Sequence, residues 1–309
     1  MTITVLDTPV CALGEGPHWD ADRGRLSWVD INAGRLLVRE ADQVTEVARV
    51  EGSTLSAAFP LPGPEQAWLL VVDQGFALLH AAGPDAALRR LAQPEAAQAA
   101  RVRMNDAAAD PRGRLWAGSM ATDGGTGLGS LYRLDLDGTL TRVLTGLNAA
   151  NGLGWSPAGD RLYFVDSDPG LLWTADYDAA TAALSEVQVL SADLGPGIPD
   201  GLAVDVEGCL WIAFYGGGQI RRFDPKGRLV AAIDLPATHP TSMCFGGASR
   251  DVLYVTTARV ERIGQPERAG DGRVLALDPG VAGVPAATFA GRPEDLPEPA
   301  PTSQIASRP

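Results

Sequence analysis

Hydrophobic residues along this chain alternate with polar ones in short runs, and most runs end at a cluster of Gly, Pro, Asp or Asn. Residues 25–30 (RLSWVD) and 161–166 (RLYFVD) are examples. Alternation with a period of two, closed by turn residues, predicts β-strands. Helical periodicity is nearly absent, although the alanine-rich residues 84–103 favour one short helix that Pro94 interrupts. The pattern therefore predicts an all-β protein.

One strand–turn–strand pattern recurs along the chain. In each copy a short strand leads through a D-x-x-G-like turn into a second strand, and several copies continue into a third. The six copies begin near Gly16, Ser56, Asp106, Gly152, Gly201 and Ser242, and the copy at Ser56 is degenerate. Their spacing is that of a four-stranded propeller blade. The repeat predicts a six-bladed β-propeller that forms a single domain over residues 1–290.

The two ends of the chain have different expected roles. Residues 2–6 (TITVL) alternate in hydrophobicity, and we expect them to close the ring by completing the last blade beside residues 274–277. Closure is expected because an open sheet edge promotes aggregation. Residues 291–309 are rich in Pro, Ala and Ser and contain almost no aliphatic side chains, so they are predicted to form a disordered tail.

Composition narrows the class of protein. The 309 residues carry 25 Lys and Arg against 38 Asp and Glu, a net charge of −13, which argues against a nucleic-acid partner. No apolar run is long enough to span a membrane, and the start has no signal-peptide pattern. The three cysteines form no CxxC pair, which favours a reducing cytoplasm. We expect a cytoplasmic monomer or small homo-oligomer without membrane or nucleic-acid partners.

The repeat also aligns a set of oxygen-bearing side chains. In a propeller the innermost strand of each blade lines the central channel, and the residue that precedes it lies at one mouth. Counting back five residues from the residue that ends each inner strand reaches Glu15, Asn105, Asn151, Asp200 and Thr241. Turn chemistry alone explains any one Asn or Asp. Four carboxylate or carboxamide residues at one repeat position instead predict a shared site.

Carboxylate and amide oxygens without His or Cys are typical ligands of a hard or borderline divalent cation. Calcium, magnesium and manganese fit best, and zinc and ferrous iron remain open. A cation also offsets the repulsion between Glu15 and Asp200. Arg103 lies two residues before Asn105, where its planar guanidinium suits the oxygens of a polar ligand. The alternative is that Arg103 is an ordinary surface residue.

Several motifs resemble the SMP-30/gluconolactonase family, also called regucalcin-like. They occur in order at residues 13–17 (LGEGP), 103–106 (RMND), 110–120 (DPRGRLWAGSM), 151–153 (NGL) and 199–205 (PDGLAVD). The resemblance covers about residues 5–290. It implies a six-bladed propeller that holds one divalent cation at the channel mouth and opens sugar lactones.

Carried onto this chain, the resemblance implies that Glu15, Asn151 and Asp200 are the metal ligands and that Asp200 is also the general base. It implies that Arg103 and Asn105 contact the substrate. Vertebrate members carry a glutamate pair after the motif that ends here at Met120, whereas this chain has Ala121-Thr122-Asp123. We expect Asp123, a shorter carboxylate, to take the place of this glutamate pair in substrate binding. The departure leaves the sugar preference open.

The expected reaction is metal-dependent hydrolysis of an aldonolactone to the aldonic acid. The cation polarises the carbonyl and an activated water attacks it. No serine or cysteine at a channel position has a plausible histidine neighbour, so no covalent route is indicated. Two alternatives remain: a phosphotriesterase-type hydrolase on the same metal site and a non-enzymatic calcium-binding propeller. A quinone-dependent sugar dehydrogenase is disfavoured, since His18 lies within an inner strand and is expected to be packed.

Overall fold

The computed structural model describes residues 2–63, 67–80, 87–260 and 267–296. Within these ranges the chain forms six four-stranded antiparallel sheets arranged as blades around a channel. The predicted six-bladed β-propeller is confirmed. The strands in chain order are β1 (Ile3–Val5), β2 (Gly14–Asp20), β3 (Arg25–Asp30), β4 (Arg35–Glu40), β5 (Gln43–Arg49), β6 (Leu55–Pro60), β7 (Trp68–Val72), β8 (Gly75–His80), β9 (Ala87–Ala92), β10 (Val102–Ala109), β11 (Leu115–Ala121), β12 (Gly129–Leu134), β13 (Leu140–Leu147), β14 (Ala150–Trp155), β15 (Arg161–Asp166), β16 (Leu171–Asp178), β17 (Ala183–Ser191), β18 (Ile198–Val204), β19 (Leu210–Tyr215), β20 (Gln219–Phe223), β21 (Leu229–Asp234), β22 (His239–Gly246), β23 (Val252–Ala258) and β24 (Leu275–Leu277).

Each blade runs outward from the channel in chain order. Blades 1 to 5 are β2–β5, β6–β9, β10–β13, β14–β17 and β18–β21. Blade 6 consists of β22, β23, β24 and β1, so the first strand of the chain is the outer strand of the last blade. Ile3 pairs with Leu277 and Val5 with Leu275. This pairing joins the two ends of the propeller in one sheet.

The hydrophobic core lies between neighbouring blades and not at the centre of the propeller. Phe59 and Leu69 of blade 2 pack with Met104 and Leu115 of blade 3, for example. Equivalent clusters fill the spaces between the other blades, including a cluster between blades 1 and 6 around Trp28. Removing this apolar surface from water contributes the main driving force for closing the ring. The channel is left free for other uses.

The D-x-x-G turns of the repeat have a structural cause. Asp110 accepts backbone N–H bonds from Arg112 at 2.7 Å and Arg114 at 3.1 Å. Asp205 does the same for Glu207 at 3.0 Å and Cys209 at 2.9 Å. An aspartate that satisfies the backbone of its own turn fixes the link between the first two strands of a blade. The end of the channel near these turns is called the strap end, because a C-terminal segment described below, the strap, crosses it.

The inner strand of every blade has a register irregularity near its start. The pairing with the second strand skips between Glu15 and His18, and between Asn151 and Leu153 in blade 4. The other four blades skip at the same place. In blade 1 the irregularity includes Gly16, whose φ of +51° disfavours any other residue. A bulge re-aims the side chains beside it, so each blade can direct polar groups into one mouth of the channel.

A C-terminal segment, residues 279–296, crosses the opposite mouth and is called the strap. The Val206 N–H donates to Ala282 O at 3.0 Å, and the Ala290 N–H to Gly113 O at 3.0 Å. Leu296 is buried in the cluster between blades 2 and 3. The first six residues of the predicted disordered tail, 291–296, therefore pack against the propeller. Residues 297–309 lie outside the described residues.

The alanine-rich segment contains only one turn of 3₁₀-helix, Ala96–Gln98, among its described residues. Residues 84–86 of the expected helix lie outside them. The buried Glu95 carboxylate, just before this turn, accepts hydrogen bonds from Ser119 Oγ and Tyr132 OH, both at 2.7 Å. Tertiary contacts therefore hold this segment where propensity alone favours a longer helix. No helix in the described ranges is long and apolar enough to cross a membrane.

Candidate active site

The mouth opposite the strap collects four of the five side chains that the repeat aligns. Glu15, Asn105, Asn151 and Asp200, called the ring below, come from blades 1, 3, 4 and 5, and each is only 7–8% exposed. Asn151 Nδ2 donates to Asp200 Oδ1 at 2.5 Å and to Ser167 Oγ at 3.1 Å. Each of the four residues lies at or beside the bulge of its inner strand, which is why residues far apart in sequence meet here.

Thr241, the fifth residue, does not join the ring. Its hydroxyl donates to Gly14 O at 2.5 Å and lies 2.9 Å from Thr256 Oγ1. Thr241 is fully buried, so it ties blade 6 to blade 1 and presents no oxygen to the mouth. The repeat position predicted where this residue lies but not the direction of its short side chain.

Arg103 lies beside the ring and is not an ordinary surface residue. Its Nη1 donates to Met104 O at 2.8 Å and to Asn105 Oδ1 at 2.9 Å. Asn105 Nδ2 in turn donates to Ala150 O at 3.1 Å. Burial lowers the pKa of Arg103, while the charges of Glu15 and Asp200 raise it. An arginine held against two carboxylates in a buried mouth is placed to bind a polar ligand.

The two ring carboxylates are electrostatically unfavourable as they stand. Burial, then the charge of Asp200, raises the pKa of Glu15 well above its usual range. Burial, then the charge of Asp106, raises the pKa of Asp200 in the same way. Each carboxylate accepts only one hydrogen bond from the described chain, Glu15 from the Gly16 N–H at 2.9 Å and Asp200 from Asn151. Such groups are stabilised in their charged form by an added cation.

Sequence reasoning missed Asp106 as a site residue. It follows Asn105 on β10, is 9% exposed, and its charge acts on both Glu15 and Asp200. Burial raises its own pKa to about 6. Strict alternation puts neighbours on opposite faces of a strand, but the register skip between Met104 and Ala107 breaks that alternation. The β-bulge is the feature that would have identified Asp106 as a site residue.

Asp123 is apart from the buried set. Its carboxylate is exposed, forms an ion pair with Arg101 Nε at 2.6 Å and accepts the Gly125 N–H at 2.9 Å. The hydrogen bond from Arg101 lowers its pKa. Asp123 follows β11, whose Ala121 pairs with Val102 at the ring end of blade 3. It therefore lies on the rim of the mouth and is engaged by another side chain.

The donor set fits a divalent cation only if an amide takes part. Among the described residues, no three His, Cys, Asp or Glu side chains are grouped as ligands for one ion. A cation at the ring would thus need the Asn151 amide oxygen together with Glu15 and Asp200, an all-oxygen set suited to a hard ion. Asn151 now turns Nδ2 toward Asp200, and the two orientations of an amide are assigned from its partners. Rotation of that amide would complete the three-oxygen set.

Comparison with known proteins identifies relatives over almost the whole chain. The model of the SMP-30/Gluconolactonase/LRE-like region matches residues 13–259. Pentonolactonase XacC of Haloferax volcanii is 35% identical over 298 residues, covering 92% of this chain and 97% of its own. Regucalcin of Danio rerio is 31% identical over 288 residues, covering 90% and 95%. The crystal structure of a calcium-binding regucalcin from Agrobacterium tumefaciens has a TM-score of 0.83 at 28% identity, covering 92% and 96% of the two chains.

Proposed function

The chain belongs to the SMP-30/gluconolactonase/LRE-like family, and on this premise we propose that it is a divalent-metal-dependent hydrolase of sugar lactones. The product is the corresponding aldonic acid. The relative from Haloferax volcanii is named a pentonolactonase, which supports a lactone as the substrate class. The relative from Agrobacterium tumefaciens is described as calcium-binding, which supports a cation at the mouth.

The observation that carries the proposal is the buried ring with an arginine beside it. Glu15, Asn151 and Asp200 would hold the cation through oxygen atoms. A bound divalent cation supplies positive charge that stabilises the negative charge developing on the lactone carbonyl oxygen. Two buried carboxylates whose pKa values are raised gain a counter-charge from the same ion. A purely structural cation would gain nothing from Arg103 nearby.

Asp200 is the proposed general base. Its carboxylate accepts the proton of the attacking water, and a pKa raised by burial makes it a stronger base than an exposed aspartate. In the metal-free protein the Asn151 side chain donates to Asp200 directly, and once the Asn151 amide has rotated, the Asp200 carboxylate would be oriented by the shared cation instead. Glu15 has a similar environment and is the next candidate for this role.

Arg103 and Asn105 are proposed to orient the substrate. Both hydrogen bonds from the Arg103 side chain to described residues use Nη1, which leaves Nη2 and Nε for ligand hydroxyl or carbonyl oxygens. The bond from Nη1 also fixes Asn105 Oδ1. Asp123 would contact a substrate only after releasing Arg101, so its part in sugar preference is a further element of the proposal.

A lactone screen tests the proposal directly. The chelator-stripped protein is reconstituted separately with Ca²⁺, Zn²⁺, Mn²⁺, Mg²⁺ or Fe²⁺ and assayed by proton release on glucono-, xylono-, arabino- and galactonolactone. A no-enzyme control is needed, because sugar lactones hydrolyse spontaneously. Metal-restored turnover of at least one lactone is expected. Metal binding without turnover of any lactone or phosphotriester would indicate a non-enzymatic metal-binding protein. Turnover of phosphotriesters alone would indicate a phosphotriesterase instead of a lactonase.

A further inference from the structure

A cavity of about 620 Å³ occupies the propeller channel between the ring and the strap. All six inner strands contribute to its wall, and strap residues 284–287 line its far end. The ring side chains Glu15, Asn105, Asn151 and Asp200 do not line it, although Gly16 and Asp106 next to them do. The cavity is therefore a separate space beneath the proposed lactone site. Its volume falls within the usual range of small-molecule pockets, about 300–1,000 Å³.

The walls of this channel cavity are mainly apolar. Phe59, Leu153, Trp155, Leu202, Met243 and Phe245 come from four different blades and line the same space. The small side chains of Ala108 and Ala203 lie between them and keep the bore open. Water in such a space has few hydrogen-bond partners, and an apolar group that displaces it gains affinity.

Polar groups are concentrated at the ring end of the cavity. His18, Asp106 and Ser242 line it there, and each is at least nine-tenths buried. The His18 imidazole packs edge-on against Phe59 with 5.5 Å between ring centroids. Its two nitrogens have no hydrogen-bond partner within the described part of the chain. Burial lowers the pKa of His18 to about 4, so the ring is neutral at physiological pH and offers one donor and one acceptor.

The far end of the cavity opens between exposed residues of blade 4, blade 5 and the strap. Pro157 and Pro285 are exposed there, and Val206 is 49% exposed. A ligand can enter this apolar rim without passing the ring. The two openings of the propeller thus differ in chemistry: one is charged and the other apolar.

We propose that the channel cavity is a second ligand site, specific for an uncharged molecule with an aliphatic chain and a terminal hydroxyl group. The hydroxyl group would lie at His18, Ser242 and Asp106, and the chain would run between the blades toward the strap. A carboxylate head would be repelled by Asp106 and would lose its hydration among apolar walls. An ammonium head would lose its hydration among apolar walls and lie close to the cation proposed at the ring.

Chain-length dependence tests the site on the unmodified protein. The full-length chain, saturated with calcium chloride to fix the state of the ring, is titrated with 1-butanol, 1-hexanol and 1-octanol by calorimetry and equilibrium dialysis. Saturable binding of one molecule per chain is expected, with affinity rising about fourfold per added CH₂ group. At pH 7.5, octanoate and octylamine should bind at least about 100-fold more weakly than 1-octanol. Non-saturable uptake that ignores the head group would mean that the cavity holds water only.

Two variants test the polar end of the cavity and its apolar part separately. Ala108→Leu with Ala203→Leu narrows the bore and should weaken 1-octanol about tenfold while changing 1-butanol little. His18→Phe keeps the contact with Phe59 but removes the hydrogen bond, which should weaken every alcohol about three- to tenfold and leave the chain-length slope unchanged. Ala231→Leu on the exposed strand β21 is the matched control and should change nothing. Unaltered 1-octanol affinity in both channel variants, or in His18→Phe alone if the double variant does not fold, would overturn the proposal. None of these outcomes depends on lactone hydrolysis.

Discussion

Buried carboxylates lie at both ends of the channel, and their surroundings differ. At the strap end, Asp110 is completely buried and accepts two backbone N–H bonds, the Arg114 Nε–H bond at 2.6 Å and a bond from Tyr177 OH. At the ring end, Glu15 and Asp200 each accept one hydrogen bond and have no ion pair within the described chain. The same inner strands thus carry satisfied acids at one end and unsatisfied acids at the other.

The difference separates acids that hold a turn together from acids whose oxygens are available to bind a ligand. Asp205 repeats the arrangement of Asp110, with Trp211 Nε1 at 2.9 Å and Arg222 Nε at 2.8 Å. A buried carboxylate is tolerated when N–H donors and a cation surround it. The ring acids lack such donors, and their raised pKa values reflect that. The proposed divalent cation would supply the counter-charge at the ring end.

Removing a strap-end acid should have the largest effect, and the effect should be on stability. Asp110→Ala leaves the buried Arg114 guanidinium without its carboxylate and is expected to cost about 3–5 kcal/mol in the free energy of unfolding. Urea unfolding measures this loss. Asp137→Ala, at an exposed turn aspartate that accepts the Thr139 N–H, is the control and should stay within about 0.5 kcal/mol. A stable Asp110→Ala protein would contradict the structural role.

Removing a ring acid should affect chemistry first. Asp200→Asn is expected to lower kcat/KM at least about 10²-fold, or about 2.7 kcal/mol in the activation free energy, and to weaken the metal. Both are measured on one preparation, by metal titration and by lactone turnover at saturating metal. Stability without metal should not fall, since the variant removes an unfavourable buried charge. Near-normal turnover with saturating metal would move the base role to Glu15.

Metal binding should change the pH dependence of stability through the ring carboxylates. The pKa of Glu15 and Asp200 is raised in the folded, metal-free protein, so the stability linked to their protonation is present below their unfolded pKa and is lost as pH rises through the folded pKa. A cation at 100 times its Kd adds about 2.7 kcal/mol. The stability gap between metal-loaded and metal-free protein should therefore widen from pH 5 to pH 8. A gap that stays constant over this range would count against a cation at the ring.

The features that sequence could predict are those that the repeat imposes on every blade. In three blades the inner strand ends at a turn aspartate, Asp20, Asp110 or Asp205, and the bulge lies at a nearly constant distance before it. Counting back from Asp110 and Asp205 therefore reaches Asn105 and Asp200. Local chemistry and a constant offset were enough to locate these residues before any contact was known.

The features that sequence missed depend on contacts between distant segments. The bulge turns Asp106 inward together with Asn105, against strict alternation. Thr241 is drawn to Gly14 O on another blade. The burial of Leu296 is a long-range contact that composition does not reveal. His18 was expected to be packed, and it is buried. Its imidazole nevertheless lines the channel cavity, because β2 has a bulge near its start.

Arg103 gives the smallest expected effect and the sharpest separation of ligand binding from metal binding. Arg103→Ala should not weaken metal binding, because a guanidinium has no lone pair to offer a cation. Loss of one charge-assisted hydrogen bond to the substrate should lower kcat/KM by about 1.5–3 kcal/mol, roughly ten- to hundredfold. Arg103→Lys should recover only part, since one ammonium nitrogen cannot bond Met104 O and Asn105 Oδ1, as Nη1 does, and also offer the substrate the separate donors Nη2 and Nε. Metal titration and kcat/KM on the same protein measure the metal affinity and the contribution of Arg103 to substrate binding separately. Unchanged kcat/KM for every active lactone would remove Arg103 from substrate binding.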